Sequence, residues 1–237
     1  MTFNKGLEAI GLEAFSGCTS LSEVRLPESL AYISEQAFAG CTSLKETALP
    51  GNLVEIHRNS FDGTKDLLLQ NPAYNVQNGI IFNANTKAIL FACDKGIEEI
   101  IFPKNTKYIG GEAFKDCTSI KTADIPPTVE WIGEAAFSGC SSITEINITK
   151  SVKQIEQSAF SGCTSLVSFK IPKGMTVIKS MTFCQCTSLK DVQIPSSVKN
   201  IEENAFEFCT SLEKVIIPKW VELEESAFPQ KTKTHRI

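Results

Sequence analysis

The chain has 237 residues, 42% of them hydrophobic and 21% charged, a balance that excludes wholesale disorder and allows one large domain or two ordinary ones. Lys plus Arg number 23 against 27 for Asp plus Glu, a formal charge of −4, which removes the sequence-independent pull toward nucleic acid or anionic lipid. No window approaches the roughly 18–20 uninterrupted apolar residues of a membrane span, so no membrane insertion is expected from this segment.

The N-terminus, Met1 to Gly6, lacks a basic stretch followed by an apolar run, so no signal peptide is visible in this chain. From Gly6 onward the chain repeats. Phe15, Phe38 and Phe61 step by 23 residues, and Phe114, Phe137, Phe160, Phe183 and Phe206 do so again. Cys18, Cys41, Cys117, Cys140, Cys163, Cys186 and Cys209 follow the same count, with Thr64 in the open cysteine slot. The unit reads Ile-x-x-x-Ala-Phe-x-x-Cys-Thr-Ser-Leu-x-x-Val-x-Ile-Pro-x-x-Val-x-x, clearest from Ile132 to Gln154 and from Ile155 to Val177. About eight apolar positions per unit cannot close a core alone, but stacked on identical neighbours they bury a continuous one.

Within each unit, Leu-x-x-Val-x-Ile carries the period-2 alternation of a half-buried strand; in Leu189 to Ile194 it puts Val192 and Ile194 inward and Gln193 outward. Proline follows at Pro27, Pro50, Pro103, Pro126, Pro172, Pro195 and Pro218, where its missing N–H stops the strand at the same place in every coil. A second extended piece ends at the isoleucine column. The segment x-x-x-Ala-Phe-x-x-Cys then reads as one short helical or 3₁₀ turn, with Ser or Thr beside each cysteine available to bond backbone at the corner. The fold class predicted from the repeat is a β-rich solenoid of about ten 23-residue coils. It is read as a single solenoid over 1–237: regular repeats at 1–66, a longer irregular repeat at 67–103, regular repeats at 104–228, and a tail at 229–237 that reads as a frayed, solvated end.

The stretches Ile109-Gly110-Gly111-Glu112-Ala113-Phe114 and Ile132-Gly133-Glu134-Ala135-Ala136-Phe137 carry a resemblance that extends over essentially the whole chain. The sequence resembles the BspA-like, Treponema-type leucine-rich repeat surface protein family. The irregular stretch fits as well, since Tyr74 and then Asn78-Gly79-Ile80-Ile81-Phe82 look like the longer unit such arrays contain. The resemblance implies a right-handed solenoid with a parallel sheet on the concave side, bacterial origin, and a cell-surface or secreted location. It also implies adhesion to host matrix or surface proteins or to other cells; fold by itself does not fix function.

The rest of the chemistry is sparse. Seven cysteines at equivalent positions stack in parallel, which suits buried free thiols better than disulfides, because parallel Cβ vectors rarely supply the required dihedral. Cys184-Gln185-Cys186 is the only close pair; it lacks the further ligands zinc needs, and Cys184 reads as a turn substitution. Cys93 reads as core, His57 as a surface residue of the third unit, and His235 as part of the tail. Asn147-Ile148-Thr149 matches a glycosylation acceptor by chance, on strand positions. No nucleotide, zinc-protease or nucleophile-elbow motif is present, so neither an enzyme, a cofactor nor a metal site is expected.

A solenoid presents its variable columns to partners. Two columns flank the inward Val and are expected on the concave side. The first runs Glu23, Glu46, Leu69, Glu99, Thr122, Glu145, Ser168, Asp191, Lys214, and the second Arg25, Ala48, Asn71, Ile101, Asp124, Asn147, Lys170, Gln193, Ile216. Glu23, Glu46, Glu99, Glu145 and Asp191 form a candidate acidic strip for a basic or extended protein segment; the alternative is an ordinary solvated face that tolerates mild like-charge repulsion. Tyr32, Tyr108 and Trp131, just before the isoleucine column, are either an aromatic contact patch or partly packed on the next coil; Tyr108 and Trp131 are the candidates kept. The uncapped half unit from Gly6 to Phe15 leaves two readings: a piece cut from a longer array, which is favoured, or an exposed coil that self-associates end to end. The function expected is noncatalytic protein binding, adhesin-like, with a structural spacer presenting another domain as the alternative.

Overall fold

The computed structural model describes residues 1–44, 49–57, 60–61, 73–77, 80–92 and 96–237. They belong to two compact units, Met1–Cys93 and Asp94–Ile237, whose boundary falls inside the irregular repeat.

In the first unit the isoleucine column makes three two-residue strands, β1 (Ala9–Ile10), β2 (Tyr32–Ile33) and β3 (Glu55–Ile56). They pair in parallel with Ile10, Ile33 and Ile56 in line and buried. The irregular repeat then changes pattern: β4 (Tyr74–Gln77), β5 (Ile80–Asn83) and β6 (Ala88–Ala92) form an antiparallel meander. All four residues of β5 are buried, so alternation is lost there and a continuous apolar run takes its place. Asn83 ties the meander to the coils. Its Nδ2 donates to the carbonyls of Gly51 (3.1 Å) and Leu53 (2.7 Å), and its Oδ1 accepts from the Asn85 amide (2.9 Å), which satisfies a buried side chain that would otherwise cost about 1–3 kcal/mol.

The second unit alternates two strand types. Odd strands carry the isoleucine column: β7 (Tyr108–Ile109), β9 (Trp131–Ile132), β11 (Gln154–Ile155), β13 (Val177–Ile178), β15 (Asn200–Ile201) and β17 (Glu222–Leu223). Even strands carry the Val-x-Ile segment: β8 (Thr122–Asp124), β10 (Glu145–Asn147), β12 (Ser168–Lys170), β14 (Asp191–Gln193) and β16 (Lys214–Ile217), followed by β18 (Lys233–Arg236). All ladders within this unit are parallel. Among the described residues the isoleucine-column strand recurs nine times, and the meander stands where a tenth coil was expected. Proline follows β8, β12, β14 and β16, while Thr149 takes its place after β10; where present it opens a hydrogen-bonded turn, with Val129, Val198 and Val221 donating to the carbonyls of Pro126, Pro195 and Pro218 at 3.0–3.1 Å.

The turn segment differs from the expected helical turn. Among the described residues there is no helix; Ala-Phe-x-x-Cys is a string of turns. Glu112, Ala135, Ser158, Met181 and Asn204 hold φ of 50–57°, and Asp116, Gly139, Gly162, Gln185 and Phe208 hold 58–73°. A right-handed helix cannot pass through such residues. The arrangement frees alternate amides to reach the next coil: Phe114, Phe137, Phe160, Phe183 and Phe206 donate to Ala136, Ala159, Thr182, Ala205 and Ala227 at 2.7–2.9 Å. The same register stacks the rings. Phe114, Phe137, Phe160, Phe183, Phe206 and Phe228 follow one another at centroid distances of 4.9–5.6 Å with planes 4–20° apart. Phe15, Phe38 and Phe61 do the same in the first unit.

The tail is not frayed. Lys233–Arg236 pair in parallel with Lys214–Ile217, Thr232 Oγ1 donates to the Leu212 carbonyl (2.6 Å), and Arg236 Nη1 bonds the carbonyls of Lys219 and Val221, both at 2.9 Å. Its four side chains are exposed, so the strand is held by backbone ladder bonds, and no apolar alternation announces it.

Candidate binding faces

On the even strands of the second unit the middle residues Ala123, Ile146, Phe169, Val192 and Val215 are buried, and their neighbours on both sides are exposed. The predicted columns are therefore outward-facing. Register sets their chemistry: Glu145 stands opposite Thr122, Asn147 opposite Asp124, Asp191 opposite Ser168, and Gln193 opposite Lys170. Glu145 and Asp191 are thus separated by Ser168, two strand spacings or about 9.6 Å, which relieves the repulsion anticipated for a continuous acidic ladder. Asn147 Nδ2 donates to Asp124 Oδ1 at 2.8 Å. Glu99 is exposed one repeat earlier. In the first unit Glu23 is exposed, and the Arg25 guanidinium, with Nε 2.9 Å from Oε1, holds its carboxyl below the usual range. Glu46, with Ala48, Leu69 and Asn71, lies outside the described residues.

The aromatic candidates stand on a different sheet, so the structure does not bring them together with Glu145 and Asp191. Tyr108 on β7 and Trp131 on β9 are register neighbours and meet edge to face at 6.4 Å; both are half-buried. Tyr32 is more exposed and belongs to the first unit. Trp131 Nε1 donates to Glu156 Oε1 (3.1 Å), and Glu156 also takes bonds from Gln154 Nε2 and, through Oε2, from Lys179 Nζ. Burial pushes the Glu156 carboxyl up, but Lys179, Trp131 and Gln154 outweigh it and hold it below the usual range. This cluster was not foreseen. The signal was present one residue after the isoleucine column, where Gly110 and Gly133 give way to Glu156, Lys179, Glu202 and Glu224. Glu202 and Glu224 use that position to accept turn amides of the preceding coil, from Ser180 (2.8 Å) and Glu203 (3.1 Å).

All eight described cysteines are free thiols, buried except for Cys18; Cys93 lies outside the described residues. Each of Cys41, Cys140, Cys163, Cys186 and Cys209 aims its Sγ at the phenylalanine carbonyl of the coil before, Phe15, Phe114, Phe137, Phe160 and Phe183, at 3.0–3.3 Å. Burial pushes the Cys163 thiol up to about 12 and raises Cys140 and Cys186 as well, with neighbouring thiols adding to both. These sulfurs are kept as neutral donors, far from nucleophilic thiolates. The predicted corner bonds are present, with Thr164, Thr187 and Thr210 donating to the carbonyls of Ser141, Thr164 and Thr187. His57 is not the surface residue expected: its side chain is 17% exposed, with Nε2 3.2 Å from Glu55 Oε1, because its column lies along the neighbouring coil. Asn147 is exposed in β10. No group of three or more His, Cys, Asp or Glu among the described residues is arranged to hold a metal, and no helix among them is long and apolar enough to cross a membrane.

Comparison with known proteins agrees with this architecture. The BspA type leucine rich repeat region matches in six copies, over residues 1–95, 85–180 and 159–237. No curated protein matches the chain. A leucine-rich repeat protein from Bacteroides ovatus is 29% identical over 98% of this chain and 70% of its own, with a TM-score of 0.57. A leucine rich cell surface protein from Faecalibacterium prausnitzii is 28% identical over 98% of this chain, which spans 59% of that protein, with a TM-score of 0.60. The pneumococcal vaccine antigen PcpA shares the fold at 20% identity and a TM-score of 0.61, over 92% of this chain and 63% of its own. With its repeats, ladders and phenylalanine stack in place, the chain belongs to the BspA-type leucine-rich repeat family.

Proposed function

We propose that this chain is a noncatalytic protein-binding repeat domain of a bacterial cell-surface, adhesin-like protein that recognises a host matrix or surface protein. The observation that carries the proposal is the division of labour in every coil of the second unit. The apolar columns are buried, while two columns of varied polar residues face solvent on consecutive strands, the kind of surface on which repeat proteins read a partner. The surface location rests on the family and on the cell-surface description of the Faecalibacterium relative. Glu99, Glu145 and Asp191, with Glu23 and Glu46 in the first unit, are the proposed acidic contacts; Tyr108 and Trp131 offer a second, edge-on aromatic contact.

A panel of immobilised host matrix and serum proteins, probed with the folded chain across a salt titration, tests this. Saturable binding that weakens with salt and is lost in the Glu145→Lys/Asp191→Lys variant supports the strand face. Salt-insensitive binding lost in Trp131→Ala moves the contact to the aromatic pair. The dispersal of the carboxylates and the pairing of Glu23 with Arg25 also suit a solvated spacer, and an empty panel would favour that role.

A further inference from the structure

The outward columns of the second unit change sign along the stack. Taking the even strands in order, the outward charges are Asp124 on β8, Glu145 on β10, Lys170 on β12, Asp191 on β14, Lys214 on β16 and Lys233 on β18, with His235 beside Ile216 on the last pair. One end is acidic, the other basic, and the middle is mixed. Lys121, Lys190 and Glu213, one residue before β8, β14 and β16, are exposed as well but precede the paired strand registers. Glu145, Lys170, Asp191, Lys214 and Lys233 form no ion pair among the described residues, so their charges are available to a partner. At the basic end the face runs into an apolar cavity of about 340 Å³, lined by Ile194, Ile216, Pro218 and Trp220 and edged by Lys219. Ile216 and Trp220 are 53% and 52% exposed, and Ile237, also exposed, lines the same cavity.

We infer that this face takes an extended segment of a partner protein whose charges are segregated: cations over Asp124 and Glu145, carboxylates over Lys214 and Lys233, and a large apolar side chain beside those carboxylates, seated against Ile216 and Trp220. The inference rests on the protein-binding reading above and adds the partner's chemistry and polarity to it. Six strands at about 4.8 Å span about 24 Å, the length of about seven extended residues, so a short linear segment reaches both poles. A uniformly basic segment gains at one end what it loses at the other, and a segment of alternating charge is in register nowhere.

The test is fluorescence anisotropy of the whole chain with labelled synthetic peptides of about twelve residues at low and physiological salt. One peptide clusters lysines at one end and glutamates with a leucine at the other; a second has the same composition with charges alternating; a third carries lysines only. The clustered peptide is expected to bind about tenfold tighter than the alternating one, with that advantage shrinking in salt. Glu145→Lys and Lys214→Glu should each weaken it about fivefold, and Trp220→Ala should weaken it while leaving the salt slope unchanged. Equal binding of the clustered and alternating peptides overturns the inference. Tighter binding of the lysine peptide also overturns it but leaves an acidic-strip reading standing. Failure of every peptide at low salt, together with salt-sensitive dimerisation of the chain in sedimentation, would assign the face to a second copy and overturn it too. Loss of the immobilised-partner signal without any change in these peptides would instead count against the protein-binding reading alone.

Discussion

Phe208 holds φ at 60° with its side chain 52% exposed, in the column where Gly17, Gly40, Gly139 and Gly162 sit at 71–73°. The left-handed conformation crowds the Cβ and following carbonyl of any L-residue and costs about 1–2 kcal/mol. Replacing Phe208 with glycine is therefore expected to stabilise the chain by about 1 kcal/mol after the entropy that glycine adds to the unfolded state; the midpoint of urea unfolding checks it. The thiols give a second residue-scale prediction. Buried, carbonyl-bonded sulfurs with raised pKa values should resist iodoacetamide at pH 8 in the native state, while exposed Cys18 reacts promptly. Mass spectrometry of digested, pulse-labelled protein reads both. Fast labelling of Cys163 in folded protein would mean the phenylalanine–cysteine layer is open to solvent.

At the scale of the element, Glu156 joins three coils by accepting from Trp131, Gln154 and Lys179. Its folded pKa lies below the unfolded one, so the native state binds fewer protons. The stabilisation is complete above about pH 5 and is lost as pH falls through the folded value. Glu156→Gln should cost about 1 kcal/mol at pH 7, with the gap to the parent protein closing as pH falls below about 5 in thermal melts. Gly133 poses a steric question in the same column. A Cβ there would stand 2.5 Å from the Gly111 nitrogen and 2.7 Å from the Gly110 carbonyl carbon. Backbone must move to admit it, and Gly133→Ala should lose about 1–3 kcal/mol. The elements themselves differed in how plainly the sequence announced them. Phe114 to Phe206 and Cys117 to Cys209 revealed the coils because burial demands the same residue type each time. The left-handed column did not show, since Glu112, Ala135, Ser158, Met181 and Asn204 share no chemistry; ladder bonds between coils impose that conformation over local preference. β18 gave no sign for a related reason, its side chains all facing water. Of the candidate site, the sequence showed which columns face out, but which charges neighbour one another depended on registers such as Glu145 against Thr122.

For the molecule as a whole, stability is a sum over neighbouring repeats. Phe160 touches Phe137 and Phe183, each at 5.6 Å, and Phe169 at 5.2 Å, and it is fully buried. Phe160→Ala should cost about 3–5 kcal/mol, with hydrogen exchange accelerating most at the coils on either side and progressively less toward β7 and β17. A loss below about 1 kcal/mol would remove the phenylalanine column from the core. The turn ladder has an electrical consequence. In the second unit the forward-donating amides, Phe114 to Ala136 through Phe206 to Ala227, all point the same way along the stack, whereas the peptides between them are engaged in turns within their own coil, as Lys115 is with Glu112 and Ser138 with Ala135. Parallel strands largely cancel their peptide dipoles; this edge adds them. Head-to-tail alignment polarises each bond by the next, as in a helix. The turn edge thus acts as a macrodipole perpendicular to the chain's own path, positive toward β17 and negative toward β7, built from residues that form no helix.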